Sequence, residues 1–506
     1  MSLAIVHTRA QVGVQAPAVR VECHLSNGLP AFNIVGMPET TVRESKDRVR
    51  SALLNSHFEF PQRRITINLA PAELPKEGAR YDLAIAIGIL AASKQIPGKL
   101  LEHSEFIGEL ALNGELRAVR GAIAAALACQ AAHRTLICSH DNSPELGLCC
   151  NGANGLAKSL LEVCAHLYER EKLPRAPERK LAQLNGGLEL ADVIGQHSAK
   201  RALEIAAAGA HNLLMFGPPG TGKSMLASRL PSLLPPLMQE QALELASIHS
   251  VANTIGQKSV VVSLNRPFRQ PHHSASAPAL VGGGSQPRPG EISLAHHGVL
   301  FLDELPEFKR SVLEHLREPM ESGEICISRA SAQVNFPARF QLVAAMNPCP
   351  CGHYGDGGQR CSCTPTRILN YKDKISGPLL DRIDLQVQVE KVALSKLREN
   401  NSTGDTSAEV QQRVRQSRDL QHRRQSCSNA ELSGDKLREY CKLGESEHQL
   451  LARAMDKLGL SARAYDRCLR VARSIADLKQ ETQISAGDLS EALGYRNFDR
   501  FYARLG

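Results

Sequence analysis

The eight residues GPPGTGKS at 217–224 fit the pattern G-x-x-x-x-G-K-[ST], and the rest of the chain is best read outward from them. In such a loop the glycines let consecutive backbone N–H groups turn inward toward phosphate oxygens. The preceding HNLLMF at 211–216 is an apolar run suited to a buried strand, and a helical pattern begins at Met225 and is interrupted by Pro231. Strand, loop and helix therefore follow in the order that an ATP site requires. Gly217, Pro218, Pro219, Gly220, Thr221 and Gly222 would line the cradle, Lys223 would reach the β- and γ-phosphates, and Ser224 would ligate Mg²⁺.

A second part of such a site stands at 298–305, GVLFLDEL, an apolar run ending in two acids. A buried strand with that ending delivers both carboxylates to the C-terminal edge of a parallel sheet. Asp303 is expected to hold Mg²⁺ through water and Glu304 to polarise an attacking water; an acidic strand end that merely caps the next helix uses the same letters. FQLVAAM at 340–346 is another apolar strand, and Asn347 after it suits a sensor of the γ-phosphate, or a turn before Pro348.

Composition sets wider bounds. At 506 residues the chain is long enough for about three domains. Lys and Arg outnumber Asp and Glu by 60 to 52, a mild excess compatible with a polyanionic partner. The start, MSLAIVHTRAQ, lacks a basic stretch followed by an apolar core, and no apolar run approaches 18 residues, so a cytoplasmic protein without membrane contact is expected. In that compartment the 14 cysteines should be thiols or metal ligands rather than disulfides.

Four segments emerge. Residues 1–170 alternate strand-like runs (19–25, 65–69, 106–112) with helical ones (41–54, 83–92, 122–132), an α/β domain in its own right. Within it LPKEGARYDLAIAIGILAAS (74–93) and GELALNGELRAVRGA (108–122) resemble the Lon protease domain, of the S5 type, and its relative in the DNA-repair ATPase RadA. Arg80 falls where that resemblance places the nucleophilic Ser and Ile123 near the Lys, so the domain is read as non-proteolytic. Arg43, Lys46, Arg48 and Arg50 make a basic helix face that solvation alone explains. A charged, Pro- and Gly-containing linker covers 171–188. LADVIGQ at 190–196 and the helix after it resemble the lead-in to an AAA+ module, whose core with a parallel sheet is assigned to 189–390; a helical lid follows at 391–506.

Two arginines, two insertions and a cysteine cluster complete the inventory. Arg382, in GPLLDRIDL, resembles the arginine finger of the MCM helicase and magnesium-chelatase branch, which reaches a neighbouring subunit's nucleotide. Arg463, near the start of SARAYDRCLRVARSIADL, resembles the second sensor, with Arg467 and Arg470 on the same helix face. The Gly- and Pro-rich insert 266–297 is expected to form an exposed hairpin or loop whose Arg266, Arg269, His272, His273 and Arg288 can meet DNA phosphates or a ring pore. Residues 323–340 read as a second hairpin with Arg329 at its tip. Cys349, Cys351, Cys361 and Cys363 in the loop 349–363 form C-P-C-x₉-C-x-C, a candidate structural Zn²⁺ site, with reduced thiols in a loop as the alternative.

VGMPETTVRESKDRVRSAL, RPFRQPHHSAS, GEISLAHHGVLFLDELPEF and SGPLLDRIDL together resemble the YifB/ComM family of bacterial AAA+ ATPases related to the magnesium-chelatase ATPase subunit. That resemblance implies a homo-hexameric ATP-driven motor that binds single- and double-stranded DNA, promotes branch migration at junctions during natural transformation and homologous recombination, and meets recombination proteins. Two further functions stay open: a chelatase-type ATPase subunit, against which the Lon-like domain counts, and a nucleotide-gated chaperone with no DNA role.

Overall fold

The computed structural model describes residues 2–149, 154–179, 181, 187–252, 263–284, 287–328, 333–355, 360–392, 404–458 and 461–502. Its N-terminal part is a seven-stranded mixed sheet built from β1 (Ser2–Arg9), β2 (Ala18–Ser26), β3 (Ala31–Val35), β4 (Arg64–Ala70), β5 (Ser104–Phe106), β8 (Thr135–Ser139) and β9 (Asn154–Ala157), in the order β3-β4-β2-β1-β5-β8-β9. A separate small hairpin joins β6 (Glu109–Leu110) to β7 (Leu116–Arg117). Side chains alternate across β2, so Val19, Val21, Cys23 and Leu25 point inward while Arg20 is exposed. The helix Asp82–Ala92 is apolar nearly all round and correspondingly buried, as a helix sandwiched within a core must be. Its Gly88 lets it close on the sheet, since a Cβ there would lie 3.3 Å from Cys23 Cβ.

The ATP-binding motifs sit on a second sheet of five strands, β10 (Leu213–Phe216), β11 (Phe268–Arg269), β14 (Val299–Leu302), β17 (Gln341–Met346) and β18 (Leu385–Gln388), ordered β11-β14-β17-β10-β18 and parallel throughout. β10, β14 and β17 are buried along their whole length, the signature of a parallel sheet covered on both faces. Helices Ser407–Gln425, Glu445–Leu458, Ala462–Leu478 and Ala486–Gly494 follow. They do not float: Cys468, Ala472 and Ile475 share one apolar cluster with Leu203, Leu213 and Met215 of the core.

Several local readings change. The run 41–54 is two helices, Thr40–Arg43 and Ser45–Asn55, which meet at Glu44, and buried Ser45 at the start of the second donates to Asp82. The strand read at 106–112 ends at Phe106, and Gly114 (φ 87°) turns the chain between β6 and β7. Within 171–188, residues 173–179 lie along the N-terminal domain, where the Leu156 N–H donates to Pro174 O at 2.9 Å and the Arg179 N–H to Gly147 O at 2.8 Å, while Leu188 O accepts from Ser232 Oγ at 3.1 Å. The insert 266–297 contains β11, a helix Ala277–Val281, a two-strand hairpin β12 (Gly282–Gly283) with β13 (Arg288–Pro289), and a helix Glu291–Leu294. The second hairpin is β15 (Glu324–Ser328) with β16 (Gln333–Pro337); Arg329 lies outside the described residues.

Candidate nucleotide site

β10 ends at Phe216 and the chain turns at once through Gly217, whose Cα sits so close to β18 that a Cβ would meet Val389 O at 2.1 Å. Gly220 (φ 74°) and Gly222 (φ 87°) take the left-handed backbone that only glycine adopts cheaply, and Gly222 launches the helix Lys223–Ala227. Thr221 Oγ1 donates to Pro218 O at 3.0 Å and pins the loop. From outside, Gln196 Nε2 donates to Thr221 O at 3.1 Å and to Glu390 O at 2.6 Å. Gln196 belonged to the recognisable lead-in, yet nothing local marked it as the brace of the loop.

Four of the expected residues converge here. Lys223 Nζ donates to Gly217 O at 2.7 Å, Pro218 O at 2.8 Å and Asn347 Oδ1 at 3.3 Å, which ties the loop to the end of β17. Burial lowers the Lys223 amine to about 8, against a smaller upward pull from Asp303. Ser224 Oγ donates to Asp303 Oδ2 at 2.6 Å, so hydroxyl and carboxylate already stand together where one divalent cation would take both. Glu304, with φ 52°, donates its N–H to Asp303 Oδ1 at 2.9 Å and keeps a half-exposed carboxylate. His273 Nδ1 lies 3.1 Å from Glu304 Oε2, a contact between the insert and the second acid that spacing alone did not reveal.

The two expected arginines stand differently. The Arg382 guanidinium is buried, donating to Pro378 O at 2.7 Å and to the Glu321 carboxylate. Arg463 is exposed near the start of the helix Ala462–Leu478. Arg467 Nη1, one turn on, donates to Asp384 Oδ1 at 2.7 Å, and Asp384 also receives the Asn212 N–H at 3.2 Å. This ties the lid helix to the strand after Arg382.

The four cysteines cluster as their spacing implied, every Sγ within 4.8 Å of the others. Cys349 and Cys351 stand 3.8 and 3.7 Å from Cys361 Sγ, close to the sulfur edge of about 3.8 Å that a tetrahedral ion with Zn–S of about 2.3 Å needs, and 3.3 Å from each other, shorter than that edge. The Tyr354 N–H donates to Cys349 Sγ at 3.4 Å, as amides do around thiolate ligands. The knot leans on the phosphate loop: a Cβ on Gly352 would fall 2.8 Å from Pro219 Cδ.

The DNA-contact candidates divide. Arg266 Nε donates to Pro235 O and its Nη1 to His297 O, each at 2.7 Å, and burial lowers it to about 10. Arg269 makes a two-pronged pair with Glu291 at 2.6 and 2.7 Å. Both hold the insert together; Arg288 on β13 is exposed.

Comparisons with known proteins agree with this architecture. Models described as magnesium chelatase subunit ChlI, subunit ChlI of Mg-chelatase, and the ChlI C-terminal region match residues 189–397, 21–142 and 404–496. The chain is 53% identical to the competence protein ComM of Haemophilus influenzae over 100% of this chain and 99% of that protein. It is 52% identical to the protein YifB of Escherichia coli with the same coverage. The magnesium-chelatase 38 kDa subunit of Cereibacter sphaeroides is 28% identical over 31% of this chain and 51% of its own length. Because a chelatase-subunit model also matches 21–142, the N-terminal domain does not by itself separate this chain from chelatase subunits; full-length likeness to ComM and YifB does.

Proposed function

Because the chain belongs to the YifB/ComM family of magnesium-chelatase-like AAA+ ATPases, we propose that it is an ATP-hydrolysing, hexameric DNA motor that drives branch migration at junctions as incoming DNA is integrated by homologous recombination in the cytoplasm. The observation that carries the catalytic part is the convergence of Lys223, Ser224, Asp303 and Asn347 through contacts of 2.6 to 3.3 Å at one edge of a parallel sheet. Lys223 would bind the terminal phosphates; Ser224 and Asp303 would hold Mg²⁺, which would supply charge neutralisation between the phosphates. Glu304 takes up a proton from the attacking water, Asn347 orients that water, and Arg382 of a neighbouring copy, freed from Glu321, meets the charge developing on the γ-phosphoryl group. Arg463 contacts phosphate from the lid of the same chain. Cys349, Cys351, Cys361 and Cys363 would hold a Zn²⁺ ion, bracing the phosphate loop, and metal analysis tests that part separately.

DNA contact falls to Arg288 and Arg329 on two hairpins, with Arg266 and Arg269 supporting the first from within. Such contacts read phosphate rather than base, so single-stranded, double-stranded and branched DNA are all substrates. The test is a labelled three-stranded junction: the purified ring should resolve it only with ATP, and junction DNA should accelerate ATP turnover. Turnover indifferent to DNA, with intact junctions, favours a chelatase-type or chaperone role and ends the DNA reading.

A further inference from the structure

The helix Gln239–Ala252 touches both halves of the molecule. At its C-terminal end Ser250 Oγ accepts the Gly121 N–H at 3.1 Å and donates to Glu145 Oε2 at 2.8 Å, both groups of the N-terminal domain. Ala246, one turn earlier, is buried in an apolar cluster otherwise supplied by that domain, including Ile107, Ala125 and Leu146. At its middle Glu244 Oε2 lies 2.9 Å from His297 Nε2 and 3.3 Å from His296 Nε2, in the turn that feeds β14, and β14 ends at Asp303 and Glu304.

The trio of Glu244, His296 and His297 has the composition of a metal site, but its hydrogen bonding says otherwise. The Arg339 N–H donates to His296 Nδ1 at 3.0 Å, so in the neutral ring that burial favours, the proton sits on Nε2, 3.3 Å from Glu244 Oε2 but outside hydrogen-bond geometry. A protonated nitrogen cannot ligate a metal. The same turn is held from two other sides: the His297 N–H donates to Arg339 O at 2.6 Å, and His297 O accepts from Arg266 at 2.7 Å. With the turn fixed on three sides, displacing the helix displaces the start of the catalytic strand.

We infer that Glu244 is a positioning residue through which docking of the N-terminal domain sets the catalytic carboxylates, making that domain a regulator of ATP turnover. The inference rests on the ATPase reading, and its test is arranged so that the two fail separately. In the full chain, Glu244→Gln and Ser250→Ala should each lower kcat about three- to tenfold with KM for ATP within about twofold, because the phosphate loop is untouched. Since both cut one connection, the double variant should be no slower than the slower single variant. Amide hydrogen exchange along β14 should quicken in Ser250→Ala, although Ser250 lies at the far side of the helix. Wild-type kcat in either single variant, effects that multiply in the double, or unchanged β14 exchange overturns the inference. Should Glu244→Gln fail to fold, Ser250→Ala decides on kcat and exchange. A wild-type chain that does not hydrolyse ATP sinks the ATPase reading, and β14 exchange still tests the tie.

Discussion

The acids beside the two sheets of this protein stand in different surroundings. In the N-terminal domain two buried carboxylates are paired with arginines: Arg9 Nη2 donates to Glu105 Oε1 at 2.8 Å, and Arg48 Nε to Asp82 Oδ2 at 2.7 Å. Arg80, in the position where a protease of this resemblance carries its nucleophile, is spent on the Gln11 side chain and Arg120 O, both at 3.1 Å. In the core, Lys223 is held chiefly by neutral carbonyl oxygens, and Glu304 is half exposed. An acid already paired stabilises a fold, whereas a half-exposed acid beside a lysine on a phosphate-binding loop is free to meet a ligand. One sheet is a finished structure and the other is a receptor for an anion.

The sharpest way to break this contrast is Glu304→Gln. Removing the proton acceptor while keeping its shape should cut kcat about 10²- to 10⁴-fold and leave ATP affinity within about twofold, measured by turnover and by a fluorescent nucleotide. Normal turnover would return Glu304 to the class of satisfied structural acids. Next in size, Asp82→Ala strands Arg48, Ser45 and the Leu110 N–H, and should cost about 3 kcal/mol in thermal unfolding of the N-terminal domain. ATP turnover at 25 °C should be unaffected; a matching loss of turnover with little loss of stability would reverse the roles assigned to the two sheets.

The smallest effect concerns Lys223. Its free amine sits near 8, and phosphate raises it, so binding at pH 8 takes up protons. Affinity should be level where the amine is already charged, below about 8, and fall about fivefold from pH 8 to 9 as the free form loses its proton. Calorimetry in two buffers of different ionisation heat measures the uptake; no uptake at pH 8 would place the amine in an ordinary environment.

How much of this was legible depended on whether the determinants are neighbours in the chain. GPPGTGKS and GVLFLDEL carry their chemistry within eight residues, and β10 and β14 lie where the apolar runs put them. The cysteine pairs, ten residues apart, also assembled. Contacts between distant segments left no local mark. Arg266 and Arg269 looked like free cations because Pro235, His297 and Glu291 become their partners only on folding. The expectation of a plain linker at 171–188 followed from composition, which does not show that Leu173 packs on the N-terminal core. β1 was missed because only its second half, from Val6, is buried.

The helix Phe498–Tyr502 has a consequence for synthesis. Tyr502 Oη donates to Pro348 O at 2.9 Å, and the rings of Phe498 and Phe501 lie 5.4 and 5.3 Å from Phe216, the residue that opens the phosphate loop. The aromatic packing behind Phe216 is thus supplied by residues that leave the ribosome almost three hundred positions after it. During translation the loop is made early but stays without its aromatic support until this segment arrives.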